Sequence, residues 1–135
     1  MQISNARASA VVVDCAEGSL WRLTGRYEGQ LVSMAFGVQA RDNDGAGAPI
    51  PGVFLIRLIA VDAPFRNRGF GQKTVIGLLS LAREGGFSEA QLWVIISNVA
   101  ARRTYERLGF HASGRRMLDE RGELMVHLTI SLGSA

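Results

Sequence analysis

The segment Arg66-Asn67-Arg68-Gly69-Phe70-Gly71 joins an apolar stretch to an amphipathic one, and its residue types suit the binding of a pyrophosphate. Glycine at 69 and 71 lets the backbone approach a ligand closely and adopt positive φ. A helix starting there offers unpaired N–H groups and the positive end of its dipole. The dipole contributes about 0.3–1 kcal/mol for an exposed charge, so several N–H donors to a diphosphate count for more. Two nucleotide-binding patterns fail here. The third glycine of G-x-G-x-x-G is replaced by Thr74. The P-loop order is broken because Gln72 separates Gly71 from Lys73 and no glycine stands at the required upstream position.

Asn98 and Tyr105, seven positions apart, are the other pair with chemical potential. Alone, Tyr105 reads as a core aromatic sharing a helical stripe with Ala101 and Leu108. Beside Asn98 and the glycine loop it reads as functional. Asn98 is also a good helix N-cap, and the two roles are compatible. Arg66 and Arg68 are either surface charges or phosphate contacts, and Arg102 and Arg103 are weaker candidates for a second phosphate. His127 falls opposite the apolar stripe of the last strand and reads as a structural histidine. Cys15 is the only cysteine, which excludes a disulfide framework and a multi-cysteine metal site, and it has no evident activating partner. No metal is expected.

These residues need elements to position them. Ser19 to Tyr27 and Gln30 to Ala40 read as strands joined by a tight turn at Glu28-Gly29. Arg41 to Pro49 is a polar, glycine-rich loop. Val53 to Val61, apolar except for Arg57, predicts a strand buried on both faces, and Leu92 to Ser97 a second. Between them, Val75, Leu78, Leu79 and Ala82 form one face of a helix over Gln72 to Glu84, stopped by Gly85-Gly86. A second helix follows Asn98 and ends at Gly109. Strands near Phe110 to Leu118 and Glu123 to Ile130 flank a turn at Asp119 to Gly122. Leu124, Val126, Leu128 and Ile130 share one face of the last strand. The pattern predicts an α/β (α+β) fold with a mixed central sheet flanked by helices, in one domain over residues 1–135.

Composition sets wider bounds. The 135 residues are 47% hydrophobic and 20% charged, which fits a globular chain. No apolar run approaches the roughly 20 residues that span a bilayer, so no membrane partner is expected. Met1 to Ala10 lacks the apolar core of a signal peptide, and a cytoplasmic location is expected. The net charge of +3 and pI near 9.7 invite a nucleic-acid reading. However, the arginines are scattered and Lys73 is the sole lysine, so a small polyanion is the better partner and no nucleic acid is expected.

Taken together, Ile59-Ala60-Val61-Asp62, the R-x-x-G-x-G of Arg66 to Gly71, and the N-x6-Y-x-x-L-G-F of Asn98 to Phe110 resemble the GNAT superfamily of N-acyltransferases. The similarity covers Val53 to Phe110 and extends to Ile130. The resemblance implies acetyl-CoA as cosubstrate, with the backbone of Ile59 and Val61, flanking Ala60, pairing with the pantetheine arm as an added strand would. It implies that N–H groups from Asn67 through Arg68, Gly69, Phe70 and Gly71 to Gln72 hold the pyrophosphate, with Arg66 beside them. Asn98 would hydrogen-bond the pantetheine, and Tyr105 would protonate the departing thiolate.

The implied reaction is direct attack of a primary amine, on a small molecule or a peptide or protein, through a tetrahedral intermediate. A thiol of pKa about 8.5 facing a tyrosine of about 10 leaves Tyr105 protonated and able to act as acid. An alkyl amine of pKa about 10.4 is only about one part in a thousand neutral near pH 7.4, roughly 4 kcal/mol, so a base is needed. The carboxylate that relatives often carry on a central strand is missing, which leaves Glu28, Glu123 and His127 as weak candidates. Relatives also place a strand and two helices before the first hairpin, where only Met1 to Gly18 stand here. The N-terminal region is then abbreviated, completed by a partner subunit as in a homodimer, or part of a longer chain. The alternative from another class is a coenzyme-A-binding sensor or interaction module without catalysis.

Overall fold

The computed structural model describes residues 10–14 and 20–133. Cys15 and residues 1–9, on which the expectation about a leader rests, lie outside them. Seven strands form one mixed sheet: β1 (Ala10–Asp14), β2 (Leu20–Tyr27), β3 (Gln30–Arg41), β4 (Pro49–Val61), β5 (Glu89–Ile95), β6 (His111–Leu118) and β7 (Leu124–Ser131). Their spatial order is β1-β2-β3-β4-β5-β7-β6. Only β4 and β5, linked through helix α1 (Phe70–Glu84), are parallel neighbours. Helix α2 (Val99–Leu108) links β5 to β6. No helix among the described residues is long and apolar enough to cross a membrane.

The predicted apolar stripe of α1, Val75, Leu78, Leu79 and Ala82, is wholly buried. It packs on Leu23, Ala35, Phe54 and Ile56 of the sheet and on Leu92, Val94, Val126 and Leu128 beyond. Within this core Trp21 meets Phe54 and Phe87 edge-on, and those two rings meet at a tilt, with centroids 5.2–5.8 Å apart. Edge-to-face contact suits the ring quadrupoles and adds to the area they bury. Glu28 and Gly29, both at positive φ, make the expected hairpin turn.

Two expectations need correction, and one element was not anticipated. First, β4 is not buried on both faces: Val53, Phe54 and Ile56 are covered, whereas Arg57, Leu58 and Ala60 are exposed. The helices cover one side only, and β5 pairs with β4 only from Val53–Leu55 against Glu89–Gln91. Second, β5 alternates, burying Ala90, Leu92 and Val94 while Gln91, Trp93 and Ile95 face the helix-free side, and it ends at Ile95 rather than Ser97. The element not anticipated is β1, antiparallel to β2 in the N-terminal stretch.

Phe36 pairs with Leu58 while Gly37 pairs with Ile56, so Arg57 is the extra residue of a β-bulge. The bulge shifts the side-chain alternation, which is why Ile56 and Ile59 both serve the same core. Phe54 is fully buried at the centre of the aromatic group. Replacing it by alanine is expected to cost about 3–5 kcal/mol, measured by chemical denaturation.

Candidate functional site

The C-terminal halves of β4 and β5 diverge, and each strand leads into a helix whose N-terminus lies at the same end of the sheet. Such a crevice beyond the carboxyl ends of parallel strands is where α/β sheets bind ligands. The Asp62 N–H donates to the Val32 carbonyl across on β3. Because the Val61 carbonyl belongs to the same peptide and points the opposite way, it faces the side that β5 has left. Two residues earlier, the backbone of Ile59 faces that side as well. Arg66 turns back and donates Nε to the Val61 carbonyl at 3.0 Å.

The loop after β4 is fixed by a small separate core. Phe70, 2% exposed, and Val32 are its centre, with Tyr27, Val61 and Phe65 packed around them. The rings of Tyr27, Phe65 and Phe70 meet pairwise at 5.8–5.9 Å. Arg68 lies over the Phe65 ring at 5.5 Å. Sequence reading placed Phe70 among the ligand-binding residues and missed this anchoring group. Phe70's own side chain is structural, and only its N–H is available. The aromatic content of 27, 65 and 70 was visible, but their meeting depends on the register of β2 and β3.

Asn67 and Gly69 adopt left-handed backbone, at φ 61° and 83°. The first helical bond of α1 is Lys73 N–H to the Gly69 carbonyl. Six consecutive backbone N–H groups, Asn67 to Gln72, thus have no hydrogen-bond partner among the described residues. The neighbouring N-terminus of α2 is closed by contrast. Asn98 Oδ1 accepts from the Ala101 N–H at 3.3 Å, and Val99 N–H donates to Ser97. Gly71 is informative for another reason. A Cβ built there meets only Val61 Cγ2, at an ordinary 3.6 Å, and its φ is not left-handed. Nothing among the described residues requires glycine at 71.

Thr74, where a dinucleotide site would have glycine, is buried with its hydroxyl on the Phe70 carbonyl and Ser33. On α2, Asn98 and Tyr105 are two turns apart and so share a face, about 10 Å apart along the axis. The Tyr105 ring packs against the main core and Phe110. Burial pushes its hydroxyl above the ordinary tyrosine value. Arg102 is spent on the Ile96 carbonyl at 2.9 Å, and Arg103 is exposed.

His127 is 2% exposed and fully partnered. Its Nε2 donates to Gln91 Oε1 at 3.0 Å, which leaves Nδ1 to accept from the Ser113 hydroxyl at 2.7 Å. Burial and the nearby Arg115 charge lower its pKa. Gln91 and Thr129 donate in turn to Glu89, lowering its carboxyl pKa. Of the other base candidates, Glu28 lies at the β2–β3 turn and Glu123 just before β7, both at the open end of the sheet by register and both exposed.

Residues 6–110 match the profile of the Acetyltransferase (GNAT) family. The chain belongs to this family. The mycothiol acetyltransferase of Mycobacterium leprae is 46% identical over 65 residues, 44% of this chain and 21% of that protein. The chain therefore spans about a fifth of the length of the curated relatives it matches. Among solved GNAT-like folds, the Escherichia coli ribosomal-protein-S18-alanine N-acetyltransferase superposes with TM-score 0.70 at 21% identity, over 87% of this chain and 72% of its own. A Salmonella typhimurium protein solved with its cofactor acetyl-CoA gives 0.72 at 19% identity, over 86% and 66%.

Two outcomes test this description. Gly71→Ala is expected to keep or raise stability by about 0.5–1 kcal/mol, as alanine for glycine does in a helix, while weakening anion binding at the loop. A melting curve alongside a coenzyme A titration separates the two effects. For His127, the folded-state pKa lies below its ordinary 6.5, so the unfolded chain takes up the proton first. Its contribution to stability is complete above about pH 6.5 and is lost as the pH falls below that, with Glu89 adding its loss only below about 4.5. His127→Gln is expected to flatten the fall of Tm between pH 7 and 5.

Proposed function

We propose that this chain is an acetyl-CoA-dependent N-acetyltransferase acting on a primary amine, on a small molecule or on a peptide or protein. The observation that carries this is the row of six unpaired N–H groups beside the open edge of β4. A row of aligned donors at a helix N-terminus suits a diphosphate, and a free strand edge suits an extended arm bearing amides. Gly71, which no neighbour among the described residues requires, leaves room for a ligand close to the helix.

Acetyl-CoA supplies an acetyl group activated as a thioester. The chain's own groups do the rest. Asn67 to Gln72 bind the pyrophosphate through their N–H groups. The Ile59 and Val61 backbone holds the arm once Arg66 releases the Val61 carbonyl, and Arg66 is then free to meet a phosphate. Asn98 uses Oδ1 for its cap, so its Nδ2 remains as a donor to the arm. Tyr105, held protonated by burial, keeps a proton at Oη for the thiolate leaving group. His127, with both ring nitrogens engaged and its charged form disfavoured, stays structural. No carboxylate lies on Ile56–Val61 or Leu92–Ile95, so proton removal from the amine falls to Glu123 or Glu28 through water, or the amine enters neutral.

Calorimetry with acetyl-CoA and a thioester-cleavage assay over an amine panel test this. Binding with amine-stimulated cleavage is expected, and Tyr105→Phe is expected to lower kcat by about a hundredfold with little change in acetyl-CoA affinity. Unchanged turnover in Tyr105→Phe would remove the acid role. Binding without cleavage on any amine would indicate a coenzyme-A-binding module instead, and absence of binding would overturn the proposal.

A further inference from the structure

The helix-free face of the sheet carries an open cleft of about 1090 Å³. One wall is the β3–β4 loop and the other the β6–β7 turn. Leu55, Trp93 and Met125 form its floor, and they alternate along their strands with the core residues Phe54, Leu92 and Val126. Leu55 and Gln91 are the last residues at which β4 and β5 pair, so the cleft begins where those strands part. Acetyl-CoA's proposed binding groups sit on the other side, at the start of α1.

The cleft carries charges of both signs. Arg57, Arg115 and Arg121 line it, and among the described residues none of their guanidinium groups has a hydrogen-bond or ion-pair partner. Asp42, Asp119 and Glu120 line the same cleft, and none of them is ion-paired with these arginines among the described residues. Arg115 is also held in place: its Cζ lies 5.2 Å from the centre of the Trp93 ring. Trp93 meets His127 edge-on at 4.8 Å, and His127 is fixed by Ser113 and Gln91. A guanidinium stacked on an aromatic ring keeps its N–H donors free and loses less freedom on binding, which suits a planar carboxylate.

We infer that this cleft takes the acceptor, and that the acceptor is an amine carrying a carboxylate and an apolar body: an apolar amino acid. The apolar body lies on Trp93, Met125 and Leu55, and the carboxylate meets Arg115 and Arg57 at the bulge of β4. Asp42 and Glu120 draw in the ammonium end. An amine without the anionic group would bring its positive charge beside three unpaired guanidinium groups. The assignment rests on the acetyl transfer proposed above, but the cleft's preference is measurable without turnover.

The test is calorimetric titration of N-acetyl-L-phenylalanine and N-acetyl-L-phenylalaninamide into the 135-residue chain. The two compounds share the apolar body and differ in the anion. The acid is expected to bind at least about tenfold more tightly, from charge-assisted hydrogen bonds. Arg115→Gln is expected to bring the ratio close to one, Arg57→Gln to lower it, and Arg115→Lys to keep part of it. Equal affinities, no binding of either compound at millimolar concentration, or a ratio unchanged in both glutamine variants would overturn the inference. An acetyl-CoA titration run alongside reports on the underlying function: its failure would sink acetyl transfer while leaving the measured acid-to-amide ratio to stand or fall by itself.

Discussion

β4 and β5 share hydrogen bonds only over Val53–Leu55 and Glu89–Gln91, and the rest of the molecule is organised around their parting. Strand edges inside a sheet are ordinarily satisfied by a neighbour, because unpaired backbone groups are costly when buried. Here the C-terminal half of β4 keeps one edge on β3 and turns the other to open space, and Arg66 takes up the Val61 carbonyl. The bulge at Arg57 sits at the point of separation, where it changes which side chains serve the core. The opening has two faces. On one lies the start of α1, and on the other the arginine-lined cleft.

The opening persists because the elements on each side are anchored independently. The main core, built on Phe54, Leu78 and Leu92, locks α1 and β5. The smaller core of Val32 and Phe70, with Tyr27, Val61 and Phe65, locks the loop between β4 and α1. With Phe70 pointing inward, the backbone from Asn67 to Gln72 is left to face outward. Each of those N–H groups would be satisfied by water or by a ligand, and no side chain among the described residues competes for them, whereas Asn98 caps the equivalent end of α2. The difference between the two helix starts is thus a matter of one capping side chain and two glycines.

Much of this was legible in the sequence because it depends on local rules. The stripe of α1, the glycine stops at 85–86 and 109, the hairpin at Glu28-Gly29 and the inward stripe of β7 all follow from periodicity and turn chemistry. The family resemblance was legible through spacing between motifs, and the match over residues 6–110 agrees with it. What escaped was whatever depends on pairing between distant strands. An apolar run such as Val53 to Val61 has the same letters whether a neighbour covers both faces or leaves Leu58 38% exposed. The aromatic anchor of Tyr27, Phe65 and Phe70 and the support of Arg115 by Trp93 and His127 likewise join residues far apart in the chain. β1 was missed because five apolar and acidic residues carry too little pattern to announce a strand on their own.

If the row of N–H groups from Asn67 to Gln72 is an anion receptor set beside an open strand edge, these amides are where coenzyme A must act. Backbone amide chemical shifts, followed by two-dimensional NMR while coenzyme A is added, address it most directly. The largest changes, with slowed amide exchange, are expected at Asn67 to Gln72 and at Ile59 and Val61. Changes centred elsewhere, with these amides unmoved at saturation, would contradict it.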